Sequence, residues 1–552
     1  MRIEKDTEST SMNRRQFLSA AGVGLASVML GRSGSAEARG TVDRPNVIFF
    51  FSDTHRWGAM SYTQTPAVQT PFMVQMKNSG VSMDRCYSNL PICSPYRGIL
   101  MSGRWPWEQG IMANHMRLDD RPDMTDKFRG TLAWMFKDAG YNTGYFGKSH
   151  WGGNDLRPFG FDKCVVWNGT NNHMQCNYRE NGGPKQSWMR GASDDSNCTP
   201  TVTQALDWVD LHHDNPEPFF VMISVNPPHG KMTDAPDGKK ALYPNSTVLP
   251  FHPHDELRQF DEHQGYHAHV SDVDDEIGRI LAKMTELGIA NDTIFIYSSD
   301  HGGMSGARRI SYGQKRNPED EATRLPFLVV WPGTIPANVQ LDVLFSTIDH
   351  FPTICGLANV ADQLNRAGTS NALESLTYLN ACPGLDFSKN ILALPGGPVP
   401  ESVFIMHPSN MNNGSPYQTV FRGVVTKDYM YALAPDTEYC LYDNTGQYQY
   451  PNLLGQAGYD AVRRSLWEKI RDWVKVAEEP FTDRWFAEMP VKWIKAWNKE
   501  QGFGVDNSDR KVGKQALFNI YSSKPTVSIP VSPRKTSSAE RRPPKGVPRT
   551  AD

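Results

Sequence analysis

Short, wholly apolar runs alternate with segments of helical period along most of this chain, and the apolar runs share a kind of ending. Asn46-Val47-Ile48-Phe49-Phe50-Phe51 predicts a strand buried on both faces, and it stops at Ser52-Asp53-Thr54. Tyr141 to Phe146 predicts a second, after the helical stretch Leu132-Ala133-Trp134-Met135-Phe136, and it stops at Gly147-Lys148-Ser149-His150. Phe219 to Val225 predicts a third, stopping at Asn226-Pro227-Pro228-His229. Val270, Val273, Ile277, Leu281, Met284 and Leu287 then keep the spacing of an amphipathic helix. Asn291-Asp292 turns it into the strand Ile294-Phe295-Ile296-Tyr297, which stops at Ser299-Asp300-His301-Gly302-Gly303. A lone Asp or His after a strand is most often a turn former or a cap. Four endings rich in Asp, Lys and His lie where open α/β sheets hold their ligands, and they favour a hydrolytic or metal site.

The alternation predicts an α/β fold: a large domain over residues 44–395, with a mixed sheet covered by helices. A smaller α+β domain follows over 396–505. Its short strands are predicted at Val403-Phe404-Ile405-Met406, Phe421 to Val425 and Tyr429 to Leu433. Leu466 to Val476 reads as a helix carrying Leu466, Ile470, Trp473 and Val474 on one face. No internal repeat is visible.

Composition narrows the classes. The 552 residues carry 57 Lys and Arg against 60 Asp and Glu, a formal net charge of −3 that gives no electrostatic case for nucleic acid. With 39% hydrophobic and 11% aromatic residues the chain can bury a sizeable core. Eight Cys are too few for a disulfide scaffold in so long a chain. No apolar run reaches the ~20 residues that span a bilayer. Residues 1–38 read as an export signal. Asn13-Arg14-Arg15-Gln16-Phe17-Leu18 opens an apolar stretch reaching Leu30, and Ala36-Glu37-Ala38 offers a signal-peptidase site. The paired Arg is the twin-arginine signature; an N-terminal anchor or a Sec signal are the other readings of the segment. The expected location is periplasmic or secreted, with the export machinery as a partner. Residues 506–552, with Arg541-Arg542-Pro543-Pro544-Lys545, form a basic, Pro-rich and apolar-poor tail whose composition predicts solvation rather than packing.

The sharpest element is Pro91-Ile92-Cys93-Ser94-Pro95-Tyr96-Arg97-Gly98-Ile99-Leu100-Met101-Ser102-Gly103-Arg104. Taken singly, Cys93 reads as a small buried hydrophobe and Pro95 as a good first-turn residue. The whole string resembles the formylglycine signature of type I sulfatases, an alkaline-phosphatase-like family. That signature runs Cys-x-Pro-x-Arg, a hydrophobic turn, then Gly-Arg. The resemblance continues in family order from about residue 44 to 475. Asn46 to Asp53, Thr131 to His150, Asn226 to His229 and Val270 to Gly303 each resemble a family segment. So do Lys315 with Arg324-Leu325-Pro326, then Val330 to Gly333, Asp349 to Ile354, Leu441-Tyr442-Asp443 and Asn452-Leu453.

The resemblance implies a sulfuric ester hydrolase. Cys93 is oxidised to formylglycine by a formylglycine-generating enzyme, and its hydrate attacks sulfur; the second hydroxyl on the same carbon later expels sulfate. Arg97 orients the hydrate. Asp53, Asp300 and His301, with residue 93 itself, hold a divalent cation. Lys148 and Lys315 stabilise charge on the sulfuryl group. His229, with Lys315, protonates the leaving alcohol, and His150 is the base that releases sulfate. Two positions depart from the pattern. Thr54 stands where the family often has a second Asp, which removes one carboxylate from the cation set. Calcium is the cation implied, and manganese or magnesium also suit an Asp/Asp/His set. Tyr96 stands where the signature more often has Ser, while the Cys, Pro and Arg of the motif are kept.

Of the remaining cysteines, Cys176 with Cys198 and Cys355 with Cys382 are placed to close local loops, a choice the sequence leaves open. Asn168 to Asn197 lies where family members build specificity loops, and Trp167, His173, Trp188 and Arg190 are candidates for stacking on a sugar. Export favours a sulfated glycan as substrate, with a sulfated aryl ester as the small-molecule form. Two other functions stay open: a phosphodiesterase or phosphonate monoester hydrolase of the same superfamily, and a non-catalytic binder of sulfated glycans. The binder predicts erosion of the nucleophile, cation or Lys/His positions.

Overall fold

The computed structural model describes residues 43–479 except 121–128, 169–171, 191–193, 245–259, 409–419, 435–436 and 447. The predicted export signal, the basic tail and the end of the smaller domain lie outside the described residues.

Among the described residues eleven strands form one mixed sheet: β1 (Asn46–Asp53), β2 (Val81–Tyr87), β3 (Asn142–Lys148), β4 (Lys163–Trp167), β5 (Gln175–Glu180), β6 (Lys185–Met189), β7 (Phe219–Pro228), β8 (Thr293–Ser299), β9 (Arg324–Leu325), β10 (Phe327–Val330) and β11 (Val339–Ser346). Their order is β11-β2-β10-β8-β1-β7-β3-β4-β5-β6, with β9 paired to β2. The four runs picked out by their polar endings are β8, β1, β7 and β3. They are adjacent and mutually parallel at the centre of the sheet, so their carboxyl ends lie side by side.

These strands are apolar throughout because helices cover both faces. Successive side chains alternate between the two layers. Ile48, Phe50, Val221 and Ile223 join a core with Val202, Ala205, Val273 and Ile277 from the helices Cys198–His212 and Phe260–Glu286. Phe220, pointing the other way, stacks on Phe136 of the helix Leu132–Asp138 at 4.1 Å between centroids. The long helix starts ten residues before Val270. Its first turns bury His263, Tyr266, His267 and His269, polar rings that apolar periodicity does not register.

The helix Cys93–Ser102 is buried along all ten residues. It stops at Gly103, whose φ of 59° lies in the left-handed region and whose N–H closes on Ile99 O at 2.8 Å. Gly147, at φ 107°, runs so close to β7 that a Cβ would stand 1.9 Å from Ser224 O, which keeps β3 tight against its neighbour just before Lys148.

A second sheet is antiparallel, in the order β12 (Val403–His407), β13 (Phe421–Val425), β14 (Tyr429–Ala434) and β15 (Thr437–Asp443), with the helix Asp460–Val476 packed against β13 and β14. The first three match the predicted strands. Their core takes in Tyr87 and Leu344 from the large sheet. All eight cysteines are buried and free, so neither Cys176 and Cys198 nor Cys355 and Cys382 are bonded. No described helix is long and apolar enough to cross a membrane.

Candidate active site

The carboxyl ends of β8, β1, β7 and β3 surround the first turn of the helix Cys93–Ser102. Cys93 is its first residue, so its side chain sits at the positive end of the helix. Its Sγ lies 3.1 Å from Lys315 Nζ, 3.2 Å from His301 Nε2 and 3.7 Å from Asp53 Oδ1. Burial and Asp53 push the thiol up, but Lys315, Lys148 and His301 outweigh them and hold it well below the ordinary thiol value.

Asp53 closes β1. Its Oδ2 accepts from Lys148 Nζ at 2.7 Å and Arg97 Nη2 at 3.2 Å, and its Oδ1 accepts from Thr54 Oγ1 at 2.8 Å. Asp300 follows β8. Its Oδ1 accepts the backbone N–H groups of Thr54 at 3.1 Å and His301 at 2.9 Å. Burial raises Asp53, yet Lys148, His229, Lys315 and His301 bring it well below the carboxylate range. Asp300 goes the other way, to about 6, through burial and the like charge of Asp53.

His301 fits a cation. Its Nδ1 lies 2.7 Å from the carbonyl oxygen of Gly302, which only accepts, so Nδ1 carries the proton and the Nε2 lone pair faces the cluster. Ligand atoms of Asp53, Cys93, Asp300 and His301 lie within 4.8 Å of one another. Thr54 stands beside this set with φ at 70°, unusual for a β-branched residue, and its carbonyl is held by Tyr266 Oη at 2.7 Å. Its hydroxyl points to Asp53 and supplies no charge.

Lys148 ends β3 and also donates to Asn226 Oδ1 at 3.1 Å. His229 follows β7 with Nε2 4.0 Å from Asp53 Oδ1. Burial, helped by Lys315, pulls it down to about 4. His150, at φ 56°, is lowered by burial; its backbone N–H bonds Asn168 Oδ1 at 2.8 Å and its ring meets His115 edge-on at 5.3 Å. Cys93 interacts with both imidazoles. The residues singled out as catalytic or cation-binding thus fall in one cluster, buried except for the half-buried His150 and His229. Sequence reading gave no role to Ser224 or Asn226, which accept from Arg97 at 2.7 Å and from Lys148. The signal was their place at the end of β7.

The predicted sugar-stacking residues fare differently. Trp167 is 2% exposed in the main core and His173 is fully buried, so neither offers a face to a sugar. The stretch 168–197 carries β5 and β6, the edge of the sheet. Trp188 packs against the core from there, and Arg190 spends its donors on the carbonyls of Asp195 at 2.6 Å and Asp234 at 2.9 Å.

A family profile described as Sulfatase matches residues 45–360, more than half of the chain. The chain is 27% identical over 468 residues to an ulvan-active sulfatase of Formosa agariphila, covering 83% of this chain and 86% of the relative. It is 27% identical over 369 residues to an endo-4-O-sulfatase of Bacteroides thetaiotaomicron, covering 58% and 71%. A structure solved in complex with its substrate D-glucosamine-2-N,6-O-disulfate superimposes with TM-score 0.65 at 19% identity, covering 79% of this chain and 98% of that one. The phosphonate monoester hydrolase of Agrobacterium radiobacter shares the fold at TM-score 0.58 and 17% identity, over 78% and 96%. With that profile matching more than half of its length, this chain belongs to the sulfatase family, within the alkaline phosphatase superfamily.

Proposed function

We propose that this sulfatase removes sulfate from a sulfated polysaccharide, with residue 93 converted to formylglycine and calcium as the cation. The observation that carries the reading is the setting of Cys93: a side chain at a helix N-terminus, flanked by Lys315 and His301 at 3.1 and 3.2 Å and by the Asp53–Lys148 pair. That is an arrangement for an anionic nucleophile and an anionic substrate group. The Sγ atom marks where a hydrate oxygen of the modified residue would lie.

A calcium ion, when bound, supplies charge for the sulfate oxygens and polarises the nucleophile. The chain's residues do the rest. Lys148 and Lys315 neutralise the sulfuryl oxygens without reorganising, because both ammonium groups are already held by buried partners. The hydrate of residue 93, one hydroxyl ionised beside Lys315 with its proton released to solvent, attacks sulfur; the S–O bond to the alcohol breaks and His229 protonates the departing oxygen. An anionic ester group seated among Lys148, Lys315 and His229 favours the charged imidazole that this step needs. His150 then takes the proton of the second hydroxyl, the C–O bond to sulfate breaks and the aldehyde returns.

Glycan rather than aryl sulfate is favoured by the ulvan-active relative, which aligns over most of both chains. The twin-arginine signal expected over residues 1–38 supports export to where foreign polysaccharide is met. The test has two parts. Peptide mass spectrometry of the Cys93 peptide, from protein recovered from its native host, should show a loss of about 18 Da, the thiol-to-aldehyde conversion that this nucleophile requires. Sulfate release is then followed on ulvan, a sulfated glycosaminoglycan, 4-nitrophenyl sulfate and a phosphonate monoester. Release from a polysaccharide supports the reading. Turnover of the phosphonate alone moves the chain to the phosphonate hydrolases, and an unmodified, inactive protein moves it to the glycan binders.

A further inference from the structure

Lys148 does not end the polar chain that begins at Asp53. Its ammonium has only protons to offer, so the Asn226 atom facing it at 3.1 Å is the amide oxygen. The Asn226 amide nitrogen therefore faces the other way, onto His173 Nε2 at 3.1 Å, and that ring nitrogen must be the acceptor. His173 then carries its proton on Nδ1, which donates to Asp234 Oδ1 at 2.7 Å. Asp234 Oδ2 accepts the backbone N–H of His173 at 3.0 Å. Each link dictates the direction of the next, and both His173 and Asn226 are fully buried.

His173, Asp234 and His269 lie close enough together to suggest a second metal cage. Proton counting argues otherwise. His269 Nε2 faces the carbonyl oxygen of Lys231 at 3.3 Å as well as Asp234 Oδ1 at 3.5 Å, two acceptors, so it too carries a proton. Both ring nitrogens turned towards Asp234 are N–H donors and have no lone pair for a cation.

We infer that Asn226, His173 and Asp234 are positioning residues that hold the Lys148 ammonium in place for the sulfuryl group, an inference that rests on the sulfatase reading. Asp234 locks the His173 tautomer, the tautomer locks the Asn226 amide, and the amide oxygen fixes Lys148 opposite Asp53. With the other tautomer, His173 would present N–H to the Asn226 NH2 group. The amide would turn, and two donors would face the ammonium.

The test combines three variants with ring 15N shifts and a metal count on the unaltered enzyme. His173→Leu removes the acceptor for Asn226, whereas His173→Gln restores an amide oxygen there and an NH2 group towards Asp234. With 4-nitrophenyl sulfate and ulvan as substrates, the Leu variant should lose kcat by about 10–100-fold at unchanged KM, and the Gln variant should recover most of it. Ring 15N shifts of the unaltered protein, with His173 assigned by its absence from the Gln variant, should report the Nδ1–H tautomer. An Nε2–H tautomer overturns the inference, as does a folded Leu variant with full kcat. A second metal ion per chain, lost in His269→Ala, also overturns it. If the unaltered enzyme releases no sulfate, the sulfatase reading fails, and the 15N shifts still decide the tautomer.

Discussion

Arg97 donates twice to one oxygen of Asp300, from Nε at 3.1 Å and from Nη2 at 3.0 Å, with both side chains fully buried. The same guanidinium reaches Asp53 at the end of β1, Lys148 O at the end of β3 and Ser224 Oγ on β7. One side chain from the helix Cys93–Ser102 therefore ties together the carboxyl ends of all four central strands. Arg97→Ala leaves two buried carboxylates without their shared cation, a loss of about 3–5 kcal/mol for a broken buried pair. Urea unfolding should show it. Arg97→Lys, which keeps the charge but not the planar fork, should fall between the two. If Arg97→Ala unfolds like the parent, the residue only orients the nucleophile.

In the proposed mechanism Lys148 bears on turnover more than on the fold. Lys148→Ala removes a preorganised charge from the sulfuryl group and should lower kcat by about 10²–10³-fold. Cys93→Ala should remove turnover altogether and leave the unfolding midpoint close to that of the parent, because one small buried side chain replaces another. Steady-state kinetics on the polysaccharide that releases most sulfate checks both. A Lys148→Ala enzyme within a few-fold of the parent would mean that Lys315 carries the sulfuryl charge alone.

If Asp53, Asp300 and His301 hold a cation as proposed, the carboxylate absent at position 54 should lower its affinity. Thr54→Asp places a third acidic oxygen source beside Asp53 and Asp300, at a backbone φ of 70° that Asp adopts more readily than a β-branched residue. Without calcium the added charge should lower the melting temperature. With calcium the variant should gain more than the parent, since binding to the native state alone stabilises it by mass action. Thermal melts with chelator and with excess calcium measure the difference. Equal gains in both proteins would show that side chain 54 does not reach the ion.

The site was legible because its chemistry sits at strand ends. Asp53, Lys148, His229 and Asp300 each follow an apolar run long enough to be recognised, and parallel neighbours bring such ends together. The Cys93 motif then supplied the centre. Three-dimensional pairings between distant polar residues were not legible. From sequence His173 reads as a loop residue for binding a sugar, yet it lies buried between Asn226 and Asp234. The first turns of the helix from Phe260 were missed for the same reason, since buried histidines carry no apolar period. Tyr96 departs from the usual signature, and the structure gives it a partner 254 positions away: its Oη lies 3.3 Å from His350 Nδ1.

That partner makes stability depend on pH. His350 is fully buried between Tyr96 Oη and Cys86 Sγ, the latter 3.4 Å from Nε2, with Phe345 stacked at 4.8 Å and Phe327 at 4.9 Å. Burial pulls its pKa from 6.5 to about 3. Between those values the unfolded chain binds a proton that the native protein does not, so stability is full above about 6.5 and is lost as the pH falls. One such proton is worth about 1.4 kcal/mol per pH unit, or about 2 kcal/mol between pH 6.5 and 5. His350→Gln keeps hydrogen-bonding atoms beside Tyr96 and cannot titrate. Its unfolding free energy in urea should therefore fall by about 2 kcal/mol less than the parent's over that interval. His55, His267 and His269, also lowered by burial, are common to both proteins and cancel in the comparison. Parallel acid sensitivity in parent and variant would assign the loss to those other rings and leave His350 only its packing role.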